Sequence, residues 1–127
     1  MQLLEIFILI VGLLTKHFLA DYVLQSRYII ENKRHYGHPG GLLHAGFHAV
    51  GSAIAFLFAG VSIGASLITL LLAEFIAHYH IDWAKDRLNR KWGLTPDQRQ
   101  YWALNGFDQF LHHLTYVIMI AIWLRIS

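Results

Sequence analysis

Nine side chains able to bind a metal ion fall into four sets at i,i+4 spacing: His17/Asp21, His44/His48, Glu74/His78/Asp82 and Asp108/His112. Residues four apart share one face of a helix, so each set aims its nitrogens and carboxylates in one direction. Mixed imidazole and carboxylate ligation suits a divalent ion: Zn first, with Mn or Fe also compatible. A catalytic zinc needs about three protein ligands plus a water. Nine candidates are therefore either one ion with a base and supporting partners, or two ions sharing a centre.

The elements that must position these sets are apolar. Of 127 residues, 56% are hydrophobic and 14% charged, against about 25% charged in a soluble domain. The length suits one domain, residues 1–127. Four stretches near the ~20 residues that a bilayer core requires are predicted as spans: about 3–25, 42–60, 64–85 and 106–125. Only Gly60-Val61-Ser62-Ile63-Gly64 separates the second from the third, which forces an antiparallel hairpin. After the third, KDRLNRKW extends the helix until Gly93, and Thr95-Pro96-Asp97-Gln98 carries a capping-box pattern. A short interfacial helix through about Ala103 is predicted there, with Tyr101 and Trp102 at headgroup level. The expected fold is all-α, a four-helix transmembrane bundle with this interfacial helix between its third and fourth spans. The first stretch lacks the basic region and small-residue cleavage site of a signal and reads as a permanent helix.

Charge placement orients the bundle. Arg27, Lys33 and Arg34 lie between the first two spans, and Arg87, Arg90, Lys91 and Arg99 between the last two. The positive-inside rule then puts both loops in the cytoplasm and both termini outside. All four sets fall toward that cytoplasmic end, although spacing alone defines them. The formal net charge of +2 gives no support to a nucleic-acid partner, and the absence of cysteine excludes thiolate ligands.

An acid at mid-span costs about 2.5–3.5 kcal/mol, so Asp21, Glu74, Asp82 and Asp108 together cost on the order of 10 kcal/mol. Neutral imidazoles beside them favour cations as the compensation. Two divalent ions would cancel four carboxylates; one would leave charge for protons, Lys16 or Lys85. Glu74 and Asp82 are the candidate general bases. Gln25, Arg27, Lys85 and Arg87 are placed to meet substrate. His80 is expected at the interface, His113 at most as a supporting partner, and His35 and His38 in solvent. Gly46, Gly51 and Ala55 are expected at close helix contacts.

The ordered motifs KHFLADYVLQ, HAGFH, EFIAHYHIDWAK and GFDQFLHHLTY resemble a family of small bacterial and phage membrane proteins catalogued as a domain of unknown function. The resemblance implies a bacterial inner membrane or phage setting. By analogy alone, the His/Asp pattern also looks like inner-membrane metal-dependent hydrolases that bacteria induce on DNA damage, whose motifs do not align residue by residue.

These readings favour a metal-dependent hydrolase at the cytoplasmic face, acting on a lipid or lipid-linked (phospho)ester. Alternatives are a di-iron oxidase or desaturase, a metal or proton carrier, and a phage-encoded interaction protein. A carrier needs polar residues through the full membrane thickness, yet the outer halves hold little beyond Thr69. The expected partners are the bilayer and a lipid-linked substrate, with homo-oligomerisation open.

Overall fold

The computed structural model describes residues 1–126. Over these the chain is all-α, with five helices: α1 (Leu3–Phe18), α2 (Arg27–Asn32), α3 (Pro39–Phe58), α4 (Ala65–Lys91) and α5 (Arg99–Ile126). A π-helical turn, Leu19–Val23, prolongs α1. Local chemistry sets the ends. The Glu5 carboxylate accepts the Gln2 backbone N–H (2.7 Å), Ser26 Oγ accepts that of Ile29 (3.4 Å), and His38 Nδ1 accepts that of Gly40 (3.1 Å). Gly93, at φ +58, stops α4, and the Leu94 N–H bonds back to Asn89 O (3.0 Å).

The four long helices alternate in direction. α3 packs against α1 and α4, α4 against α5, and α5 returns to α1 along a shorter line. One end of the bundle is filled by an apolar core that includes Leu9, Leu13, Phe56, Leu67 and Met119. The other end holds the His and Asp sets, so the bundle interior is apolar in one half and polar in the other. Outside, the pattern is inverted: Phe7, Val11, Val50, Phe58, Leu72 and Val117 are exposed. An exterior this apolar marks a surface made for contact with something other than water.

Among the described residues, three segments are long and apolar enough to cross a membrane: Leu3–Val23, Pro39–Phe58 and Arg99–Ile126. The stretch predicted as the third of four spans, 64–85, is helical within α4 but is not among them. Glu74, His78, His80 and Asp82 dilute the apolar character of its second half. The interfacial helix expected near 95–103 does not form separately. Gln98 Oε1 does accept the Thr95 N–H (3.0 Å), but this closes a single turn, and α5 runs unbroken from Arg99. The short helix that does exist is α2, in the other basic loop. The first span stops at Val23, which leaves Gln25 in the connection to α2.

α1 and α3 approach most closely where residues are small. A Cβ on Gly12 would lie 2.9 Å from Ala55 Cβ, and one on Gly51 would lie 3.0 Å from Lys16 Cβ. Gly46, also expected at a contact, has open space around it. Gly12→Val is therefore expected to lower bundle stability by about 1–3 kcal/mol through overpacking. Gly46→Val should not lower it. Thermal unfolding in detergent checks both.

Candidate metal centre

The π-helical turn supplies the centre's first carboxylate. The Leu24 N–H reaches back five residues to Leu19 O (2.8 Å), a widening of the helix that often accompanies functional sites. Asp21 sits on this turn. Its Oδ1 lies 3.0 Å from His48 Nε2 and 3.2 Å from His44 Nε2, and its Oδ2 lies 3.2 Å from His17 Nε2. Gln25 Nε2 donates to the Asp21 carbonyl (3.1 Å), which steadies the turn from beyond the helix end.

Asp82 on α4 supplies the second. Its Oδ2 lies 3.1 Å from His44 Nε2 and 3.6 Å from His78 Nε2, and its Oδ1 lies 3.2 Å from His112 Nε2. Asp108 follows on α5, its Oδ1 3.5 Å from His112 Nε2. The turns of α1, α3, α4 and α5 thus deliver their side chains to one place, and the imidazoles of His48 and His78 stack at 3.7 Å.

Two groups have the geometry to hold an ion: Asp21, His44, His48 and His78, and then His78, Asp82 and His112. Within each, one ligand atom per residue lies within 4.8 Å of the others. His78 belongs to both. Ligand atoms about 2.1 Å from a tetrahedral zinc stand about 3.4 Å apart, close to the spacings here. Satisfaction points the same way. Both ring nitrogens of His44 and of His78, Asp82 Oδ2 and Asp108 Oδ1 are buried with no hydrogen-bond partner among the described residues. His44 Nε2 stands near two carboxylates, yet neither approach is aligned as a hydrogen bond. Buried polar atoms are normally paired. A cation could take one nitrogen of each imidazole together with a carboxylate oxygen, while the other nitrogen of a neutral imidazole carries a proton and calls for an acceptor. The buried cluster can therefore hold a metal ion.

Glu74 stands apart. Its Oε1 accepts from Lys16 Nζ (2.6 Å) and from Ser52 Oγ (2.8 Å), all three groups being buried. Lys16 Nζ also donates to His48 O (3.2 Å) and lies 4.3 Å above the Tyr116 ring. The charge of Glu74 is thus balanced by Lys16, although its Oε2 is buried without a hydrogen-bond partner, and three carboxylates are left for an ion to balance. His17 is outside both groups: its Nδ1 pairs with Tyr116 OH (2.8 Å) and its Nε2 with Gln109 Oε1 (2.8 Å), beside Asp21.

A polar cavity of about 200 Å³ opens from the centre toward the basic loops, and Asp21, Asp82 and Asp108 form its floor. Gln25 and Lys85 line it, as does Lys33, whose Nζ donates to Gln25 Oε1 (2.8 Å) and lies 3.6 Å from Asp82 Oδ2. Arg27 and Arg87 are exposed outside it: Arg27 pairs with Glu31 (2.7 Å) and Arg87 lies over the Trp83 ring. His80 bonds the Tyr36 hydroxyl (3.0 Å) and His113 is exposed, while His38, expected in solvent, caps α3. Lys16, Lys33, Ser52, Gln109 and Tyr116 are site residues that spacing did not single out as such. Only Lys16 carried a usable signal, since a lysine inside an apolar span needs an acid partner.

Residues 8–127 match a family described as a protein of unknown function, DUF3307, and the chain belongs to that family. No curated protein and no solved structure matches it.

Removing Lys16 strands the Glu74 carboxylate. Lys16→Met is expected to cost about 3–5 kcal/mol, and Lys16→Met/Glu74→Leu to recover most of it. Unfolding in detergent measures both. Because His78 serves both groups, His78→Ala is expected to lower bound metal sharply, with His113→Ala as the neutral control. Elemental analysis of the purified variants decides.

Proposed function

We propose that the chain is a membrane-embedded metal-dependent hydrolase that acts at the cytoplasmic face on a lipid or lipid-linked ester. The observation that carries this reading is the pairing of buried, unpartnered His and Asp atoms with a polar cavity that reaches the basic loops. In this reading α4 is a fourth span. Its acids face the bundle interior rather than lipid, and α3 and α5 flank it. Both basic connections then face the cytoplasm and both ends of the chain the other side, as in a bacterial inner membrane.

One or two divalent ions, Zn by preference, would be held by Asp21, His44, His48, His78, Asp82 and His112. When bound, such an ion polarises a scissile ester and lowers the pKa of its water toward neutrality. The protein's own residues supply the rest. Asp108 lines the cavity with an unpartnered oxygen, and Gln109 Nε2 donates to its other oxygen (3.2 Å). That favours Asp108 over Glu74 for holding the proton, since Glu74 is bound to Lys16 and is absent from the cavity wall. Asp82 is the other candidate where an ion leaves one of its oxygens free. Lys33 and Lys85 meet an anionic headgroup, with Gln25 steering Lys33. The apolar core beyond the centre excludes water from the far half and favours a pocket closed at one end over a carrier's through path.

Metal-loaded protein is expected to cleave a member of a panel of phospholipids, lipid-linked phosphoesters and carboxyl esters. Asp108→Asn should reduce the rate by about 10²–10⁴-fold with bound metal unchanged. An inactive metal-loaded wild type across the panel, or an unaltered rate in Asp108→Asn, contradicts the reading.

A further inference from the structure

The polar cavity and an apolar groove lie at successive levels of one seam of the bundle, between α1 and α5. Gln109, His113 and Tyr116 follow one another at i, i+4 and i+7 on α5 and so share a stripe. Gln109 lines the polar cavity, while His113 and Tyr116 line a second cavity of about 350 Å³ with Leu13, Leu14, Val117 and Ile120. His17, buried, stands between the two. Its ring pairs with Gln109 and Tyr116, lies 5.2 Å from that of His113, and its Nε2 contacts Asp21. Along one line the seam therefore changes from charged, through His17 beside the centre, to a mostly apolar lining. Three carboxylates and two lysines line the charged end, so one bound divalent ion turns its formal charge positive.

We propose that this seam binds a membrane lipid with a phosphate headgroup, the phosphate in the polar cavity and one acyl chain in the α1–α5 groove. This deepens the hydrolase reading and rests on it for the metal's charge. Complementarity selects the occupant. An anion suits Lys33, Lys85 and the ion, and a hydrocarbon chain suits a groove that opens on the apolar exterior. The wider groove between α1 and α3, about 740 Å³, has no such polar end. Thr15 and Lys16 are its polar residues, and the Lys16 ammonium is turned inward to Glu74.

A long-chain alkylphosphonate with a photoreactive diazirine near its tail tests the placement, because no hydrolase cleaves its carbon–phosphorus bond. With metal-loaded full-length protein in lipid nanodiscs, labelling is expected on Leu13, Leu14, Val117 and Ile120. Phosphatidate should compete, and glycerol 3-phosphate, which lacks the chain, should compete far less. Leu14→Trp/Val117→Trp fills the groove at two exposed positions. If it displaces even two methylenes, labelling should fall about tenfold. Val50→Trp, in the α1–α3 groove, should leave it unchanged. Overturning results are label spread evenly over the outer faces or centred on α1–α3, an equal yield from the alcohol of the same chain, or no effect of the groove-filling pair. Metal content is measured on the same samples. Wild type without metal removes the hydrolase reading, while label position judges the seam separately.

Discussion

Carboxylates buried among helices whose exterior is apolar impose the constraint on which this structure depends. Each must find a cation or a set of donors to offset the loss of bulk water around it. The molecule meets the constraint in two ways. Glu74 receives a fixed cation from its own chain, Lys16, together with the Ser52 hydroxyl. Asp21, Asp82 and Asp108 instead face imidazoles, several of whose nitrogens remain without partners. The first arrangement balances the charge, although Glu74 Oε2 stays buried without a hydrogen-bond partner. The second offers ligand atoms that a metal ion could take.

The division of the bundle follows from the same constraint. Polar groups collect at the end where the chain has its basic connections, so that Lys33 and Lys85 stand over the acids and the cavity meets water. The opposite half packs Leu9, Leu13, Phe56, Leu67 and Met119 with no charge to compensate. Close contact at Gly12–Ala55 and Gly51–Lys16 brings α1 against α3, which lets the π-helical turn present Asp21 to His44 and His48. α5 meets α1 less extensively, and a mostly apolar cavity lies between them.

Much of this was legible in the chain because i,i+4 spacing and apolar runs are local properties. The four sets, their common depth, the hairpin at residues 60–64 and the stop at Gly93 all follow from short stretches. Partner choice is not local. Spacing puts Glu74 on the face of His78 but cannot say that Lys16, 58 positions earlier, will reach it first. Lys33 looked like a loop charge because α2, the six-residue helix that carries the chain back over the centre, has no periodicity of its own. Residue spacing puts Gln25 on the His17/Asp21 face, and it does line the cavity with Asp21; that its amide also bonds the Asp21 carbonyl at the π-helical turn leaves no mark in the spacing. Thr95–Gln98 carried a true cap pattern, and only the fold shows that it closes a turn before one long helix.

The most direct test of the central claim is X-ray absorption at the metal edge, with elemental analysis, on protein purified without chelators. The expected result is one or two divalent ions per chain, with nitrogen and oxygen neighbours at about 2.0–2.2 Å and the scattering signature of histidine rings. Protein that carries no metal, and takes up none of Zn, Mn or Fe when they are supplied, would contradict the account.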